Sequence, residues 1–222
     1  MHKEYVIITA GGRGIRMGSE IPKQFIELNG LPVIMHTIKA FARYSPDINI
    51  ILVLPEDGME EWGRINEKYP IKTKIHLCTG GEKRFDSVKN GLELVEEEGL
   101  VAIHDAVRPL VSSRLISKCF QTAAKEGSAI PVIPLQDSMR ELNGEDNRPA
   151  KRDVFRLVQT PQVFDISLIK KAYEQAYRSS FTDDATVAEA LGATIHLVEG
   201  EKRNIKITTQ EDFLIAKAYL EE

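Results

Sequence analysis

The chain has 222 residues, 42% of them hydrophobic and 28% charged, which is enough for one substantial core and fits a single α/β domain. A formal net charge of -4 argues against a general nucleic-acid binder, whose footprint would be a basic excess. No apolar run approaches the ~18 residues that a membrane span needs, and the short apolar stretch near the N-terminus is cut at once by glycines, unlike a signal peptide. Cys78 and Cys119 have no CxxC or histidine spacing around them and are expected to be reduced thiols of a cytoplasmic protein.

Strand-length apolar runs recur at residues 5–9, 49–54, 74–77, 100–104, 129–133 and 194–198. Segments with helical spacing fall between them, at 32–44, 86–98, 113–125, 168–179 and 184–191, and a last helix is expected at 210–220 behind Thr209 as its N-cap. This alternation predicts βα units around a mostly parallel sheet covered on both faces. Residues 137–156 break the rhythm: they are polar and carry an Asn143-Gly144 turn signal, so a projecting β-hairpin arm is expected there, with a disordered loop as the alternative. No internal repeat or long linker divides the chain, and residues 1–222 are expected to form one domain with that excursion.

Candidate chemistry begins right after the first strand. The stretch ITAGGRGIRMGSEIPKQF sets Gly11, Gly12 and Gly14 beside Arg13, Arg16 and Lys23. It lacks the third glycine of a dinucleotide fingerprint and the Gly-Lys-Ser/Thr ending of a P-loop. Glycine still allows backbone amides to approach a phosphate closely. Arg16 and Lys23 could then neutralise several phosphate charges, as a triphosphate or a pyrophosphate leaving group would require. The other reading is a tight turn with solvated cations.

Three later stretches bear on that choice. GGEKRFDSVKNG (residues 80–91) puts Ser87 in the first turn of a helix, where free N–H groups favour an anion or a base carbonyl, unless Ser87 is simply the N-cap. LVAIHDA (residues 100–106) ends a strand on His104 and Asp105, at the edge where open α/β sheets bind ligands. Asp105 there could hold Mg²⁺ together with substrate phosphates, or serve as a turn residue. His104 reads as a structural neighbour, since a phosphate nucleophile is already ionised at pH 7. In NIKIT (residues 204–208) Lys206 stands between apolar residues, and it either snorkels outward or presents a fixed ammonium inward.

Taken together and in order, AGGRGIRMG…PKQ, GGEKRFDSVKNGL, HDAVRP, QDS, QTPQVF, TDDA and NIKIT resemble the 2-C-methyl-D-erythritol 4-phosphate cytidylyltransferase family from Ile8 to the C-terminus. The resemblance implies a Rossmann-like nucleotidyltransferase fold and transfer of a cytidylyl group from CTP to a polyol phosphate, with Mg²⁺. It implies that Ala10, Gly11, Gly12, Gly14, Gly80, Arg84, Ser87 and Ala106 line the nucleotide pocket. Arg16 and Lys23 would stabilise phosphate charge, Asp105 would lie beside the metal, Ser138, Arg152 and Thr160 would bind the acceptor, and Lys206 would position its phosphate. It further implies a homodimer with exchanged arms, so that Arg152 serves the neighbouring subunit. Gly11, Ser138 and Val107 depart from the family's usual residues. The AGG and HDAVRP variants occur also in the sister family that uses ribitol 5-phosphate, which leaves that acceptor as an alternative. A CTP-binding sensor without turnover is a third reading, but a sensor has no need of Lys206. A fused second enzyme of the pathway is not expected after the last helix.

Overall fold

The computed structural model describes residues 3–11 and 21–221. The strands are β1 (Lys3–Thr9), β2 (Glu27–Leu28), β3 (Leu31–Pro32), β4 (Asn49–Leu54), β5 (Ile75–Thr79), β6 (Gly99–Asp105), β7 (Ser128–Pro134), β8 (Met139–Asn143), β9 (Asp146–Ala150), β10 (Arg156–Val158), β11 (Gln162–Asp165) and β12 (Leu197–Glu199). The helices are α1 (Val33–Tyr44), α2 (Met59–Lys68), α3 (Arg84–Glu93), α4 (Ser113–Glu126), α5 (Ile166–Tyr173), α6 (Asp184–Glu189) and α7 (Gln210–Glu221).

Among the described residues the main sheet runs β10-β7-β11-β6-β1-β4-β5, with β12 on β7. The β6-β1-β4-β5 block is parallel, as is β12 on β7, whereas β11 runs antiparallel between β6 and β7. Both faces of the sheet are covered. One core cluster packs Ile34, Ile38, Phe41 and Phe120 against Val6, Ile8, Leu52 and Ala102; the other packs Val88, Leu92, Ile169 and Tyr173 against Ile7, Val53, Ile103 and Phe164. β6 is buried along its whole length, which suits a continuous apolar run rather than an alternating one. At its start Gly99 has φ +144°, and an added Cβ would lie 2.2 Å from the Lys3 carbonyl oxygen, so no side chain fits there.

The departures from expectation have physical causes. α3 starts two residues early, at Arg84, because the Lys83 N–H is met by the Asp86 carboxylate. It stops at Glu93, before the charged run Glu96–Glu98. α5 ends at Tyr173, and the chain beyond it lays Tyr177 and Phe181 against Phe85. The strand expected at 194–198 is displaced to β12, where residues 194–196 instead bond to Ser128. α2 and the antiparallel β10 and β11 were not expected. α7 matches its expectation: the Thr209 hydroxyl accepts from the Asp212 N–H and Asp212 Oδ2 accepts from the Thr209 N–H. Within residues 137–156, β8 and β9 form a hairpin whose Asn143 pairs with Asp146 across Gly144 at φ +62°.

Candidate functional site

β1, β4 and β6 end side by side, and the turns beyond them carry the site. Ala10 is buried there, its N–H donating to Val53 C=O (2.9 Å) and its C=O accepting from Gln24 Nε2 (2.8 Å). Gly11 follows, and a Cβ on it would lie 3.9 Å from Ser87 Oγ. Gly80 donates to Leu54 C=O (2.7 Å) and likewise faces Ser87 Oγ, 3.0 Å from its would-be Cβ. Ser87 is therefore the point where the Gly11 and Gly80 turns meet. It is not the cap of α3: the cap position is Lys83, and Ser87 Oγ donates to Lys83 C=O and accepts from Gly81 N–H.

Asp105, at the end of β6, is nearly buried and surrounded by cations. Its Oδ2 accepts from Lys206 Nζ (3.0 Å) and Arg108 Nε (3.2 Å), and Arg84 Nε lies 3.9 Å from Oδ1. Burial alone would raise its pKa, but Lys206, Arg84 and Arg108 together hold the carboxyl well below the usual carboxylate range. Arg84 spends its fork elsewhere: Nη1 and Nη2 donate to Asp184 at 2.8 and 2.6 Å, and Asp184 also accepts from Tyr173 O–H (2.6 Å). Burial works against the Arg84 charge, yet the Asp184 carboxylate outweighs it and raises the guanidinium pKa. Arg84 is thus a bridge between Asp184 and Asp105, not an open fork for base or ribose.

His104 faces away from the pocket. It is wholly buried, edge-on to Phe41, and burial holds its imidazole down at about 3. A carbonyl can only accept, so Nε2 carries the proton that reaches Arg108 C=O (3.3 Å). Bare Nδ1 then accepts from the Thr160 hydroxyl (3.0 Å), whose oxygen accepts from Asp105 N–H (3.1 Å). The Thr160 proton is spent within the protein, so this hydroxyl has no donor left for an acceptor phosphate.

These groups line one pocket, with Arg84, Asp105, Arg108, Gln159, Thr160 and Lys206 on its wall. The family model for 2-C-methyl-D-erythritol 4-phosphate cytidylyltransferase (IspD) matches residues 5–222. The chain belongs to this family. Relatives bearing that name include those of Bacteroides thetaiotaomicron, 46% identical over 98% of this chain and 100% of the relative, and of Bacteroides fragilis, 48% identical over 96% and 98%. Two solved cytidylyltransferase structures are similar throughout. The 4-diphosphocytidyl-2C-methyl-D-erythritol synthase of Anaerococcus prevotii has a TM-score of 0.84 at 31% identity over 100% of this chain and 99% of its own. The cytidylyltransferase of Thermus thermophilus has 0.81 at 32% over 100% of both.

Against the family pattern, the structure brings together Ala10, Gly11, Gly80, Arg84, Ser87, Asp105, Ala106, Thr160 and Lys206. Ala106 is buried, with its N–H on Thr9 C=O and its C=O on Thr37 Oγ1. Lys23 opens the short 3-10 turn Lys23–Phe25. Gly12, Gly14 and Arg16 lie outside the described residues. Ser138 and Arg152 do not line the pocket; Arg152 is exposed and donates to Gln136 C=O within its own chain. Sequence reasoning missed Arg108, Asp184, Gln159 and Asn204. All four were visible only as members of HDAVRP, TDDA, QTPQVF and NIKIT, with nothing to say what they would hold.

No group of three or more His, Cys, Asp or Glu among the described residues could hold a metal by itself. Among the described residues, Asp105 Oδ1 is nevertheless a hard oxygen whose nearest cationic nitrogen is Arg84 Nε at 3.9 Å. One such carboxylate suits a magnesium ion that arrives with phosphates, since Mg²⁺ keeps waters and takes one or two carboxylates.

Proposed function

We propose that this chain transfers the cytidylyl group of CTP to 2-C-methyl-D-erythritol 4-phosphate, giving 4-diphosphocytidyl-2-C-methyl-D-erythritol and pyrophosphate. The observation that carries the reading is the Lys206–Asp105 pair at the carboxyl edge of the parallel strands, in a chain matched by this family over residues 5–222. An oxygen of the acceptor phosphate attacks the α-phosphorus of CTP in line; a new P–O bond forms as the α–β bridge breaks and pyrophosphate leaves. The attacking phosphate is already ionised, so no general base is needed. The obstacle is bringing two polyanions together, and placed cations overcome it.

In this reading Lys206 holds the attacking phosphate, and Arg16 with Lys23 takes up charge on the leaving group. Ala10, Gly11, Gly12 and Gly14, with Gly80, Ser87 and Ala106, form the nucleotide side; Arg84 acts there through Asp105. Asp105 Oδ1 would hold Mg²⁺, which when bound neutralises phosphate charge and polarises the α-phosphorus. Ser138, Thr160 and Arg152 form the acceptor side, Thr160 by fixing the Asp105 backbone and Arg152 from the other subunit of a homodimer with exchanged arms. We assign the protein to the cytoplasm, in keeping with its free Cys78 and Cys119; no helix among the described residues is long and apolar enough to cross a membrane. The deciding assay is pyrophosphate release from CTP with methylerythritol phosphate and, in parallel, with ribitol 5-phosphate. Release with the first and not the second is expected; the reverse would assign the chain to the ribitol acceptor.

A further inference from the structure

Lys206 sits on a segment that no strand ladder holds. Residues 201–207 belong to no strand, and among the described residues the hydrogen bond that joins their backbone to backbone elsewhere in the fold is Ile207 N–H to Val107 C=O (2.9 Å). Ile205 and Ile207 pack into a small apolar cluster with Leu28, Val33 and Ala216, which turns the intervening Lys206 toward Asp105.

Glu201 and Arg203 are also held at the surface, by the Ser112 hydroxyl (2.7 Å) and the Tyr219 C=O, and buried polar side chains anchor the backbone between them. Gln159 uses both ends of its amide: Nε2 donates to Glu201 C=O (2.8 Å) and Asn204 C=O (3.2 Å), and Oε1 accepts from Glu201 N–H (3.2 Å). Gly200 leaves room for it, since a Cβ there would lie 2.5 Å from Gln159 Oε1. Asn204 is wholly buried; its Nδ2 donates to Thr160 C=O (2.8 Å), and its own C=O also accepts from Arg108 Nη1 (2.9 Å). The same guanidinium reaches Asp105 through Nε, so the segment and the counter-ion of Lys206 are referenced to a single group.

The arrangement is held against a penalty. Asn204 Oδ1 is buried without a partner among the described residues, an acceptor stripped of water with nothing in its place. Turning the amide over would set Oδ1 against the Thr160 carbonyl oxygen, two acceptors face to face, and would lose the Nδ2 donation. Gln159 lines the pocket, yet its polar atoms are all engaged by residues 201–204, which leaves it no group to offer a substrate.

We infer that Gln159 and Asn204 are positioning residues that hold residues 201–207 so that the Lys206 ammonium stands over Asp105. The inference rests on the role given above to Lys206, and two readings separate it from that role. Gln159→Met keeps the volume and removes the amide. Trypsin reports on the segment directly, because Lys202, Arg203 and Lys206 lie in it. Faster cutting there than in the wild-type protein, with other sites unchanged, is expected; unchanged cutting overturns the anchoring whether or not turnover is seen. Kinetics supply the second reading: Gln159→Met should lower turnover at saturating CTP by roughly tenfold, with KM for CTP within about threefold.

Placed in a Lys206→Ala background, the same substitution should cost less than about twofold, because a residue that acts through Lys206 has nothing left to position. An equal loss in both backgrounds would make Gln159 a merely structural residue and overturn the inference. Should Gln159→Met lose its cooperative unfolding transition, Asn204→Ala gives the same two readings from the other side of the network. A wild-type protein without pyrophosphate release would fail the proposed reaction and leave the anchoring to be decided by proteolysis.

Discussion

Arg84 and Asp184, 100 residues apart, form a two-point ion pair at 2.8 and 2.6 Å, with Asp184 wholly buried. The pair ties the start of α3 to the start of α6 and sets the Arg84 Nε toward Asp105. Asp184→Asn removes the two-point partner of Arg84, which is one-third exposed and keeps Asp105 nearby, and is expected to cost about 1.5–3 kcal/mol. Tyr173→Phe removes only the hydroxyl donated to Asp184 and should cost about 1 kcal/mol. Urea unfolding of both variants checks this, and an Asp184→Asn protein within 1 kcal/mol of wild type would mean that the pair contributes little.

Lys206→Ala is expected to lower turnover by on the order of 10²–10³ while CTP binding changes little, because in the proposed reaction the lost ammonium acts on the attacking phosphate. Calorimetry with CTP and steady-state kinetics test the two halves together. A large loss of CTP affinity with normal turnover at saturation would put Lys206 on the nucleotide instead.

How far these residues could be read from sequence follows from the range of the interactions. Asp105 and Lys206 were legible because each sits in a short local pattern, a strand end and a lysine between two isoleucines. Arg108, Gln159 and Asn204 were not, because their partners are brought together only by the tertiary fold. α2 escaped notice because Trp62 and Ile65 are its buried residues in an otherwise polar stretch. β11 escaped because four residues inserted antiparallel between β6 and β7 carry no βα signal. The expected helix at 168–179 ran on too far because the aromatic residues that pack against Phe85 mimic helical spacing.

Activity is expected to require a divalent cation, best met by Mg²⁺. Asp105 Oδ1 can contribute one ligand and the phosphates the rest, so the metal should bind far more weakly without CTP than with it. Titration of Mn²⁺ by its effect on water proton relaxation, with and without CTP, measures that difference directly. Turnover undiminished by excess EDTA would remove both the metal and the part given to Asp105.

Acid should destabilise the protein through His104 first. Its folded value of about 3 lies below the unfolded value of about 6.5. Between the two, the unfolded chain binds a proton that the folded one does not, so this stability is present above pH 6.5. It falls by about 1.4 kcal/mol per unit as the pH drops toward the folded value. Asp105 is shifted down from the ordinary carboxylate value, so its contribution is lost only at still lower pH. Unfolding free energies from pH 7 to 4 should therefore slope steeply in the wild-type protein and less so in His104→Asn. A variant that retains the full slope would assign the acid sensitivity to another group.

The last prediction concerns the arm. β8 and β9 form a two-stranded sheet that pairs with no other strand among the described residues, and Leu142 near its tip is 76% exposed. Beyond it Val154, Phe155 and Leu157 are exposed as well. A lone two-stranded ribbon is marginal in water and needs a surface to pack on. A symmetric dimer exchanging arms would supply one and would bring Arg152, which does not line the pocket of its own chain, to the other subunit's site. Mixing inactive Arg152→Ala protein with inactive Lys206→Ala protein then has a definite outcome. Each mixed dimer has one site carrying both lesions and one carrying neither. In a random equal mixture half of the dimers are mixed, so activity should return to about a quarter of wild type. Subunits labelled with two fluorophores report whether exchange has occurred. Exchange without recovered activity would place Arg152 at its own chain's site and end the shared-site arrangement.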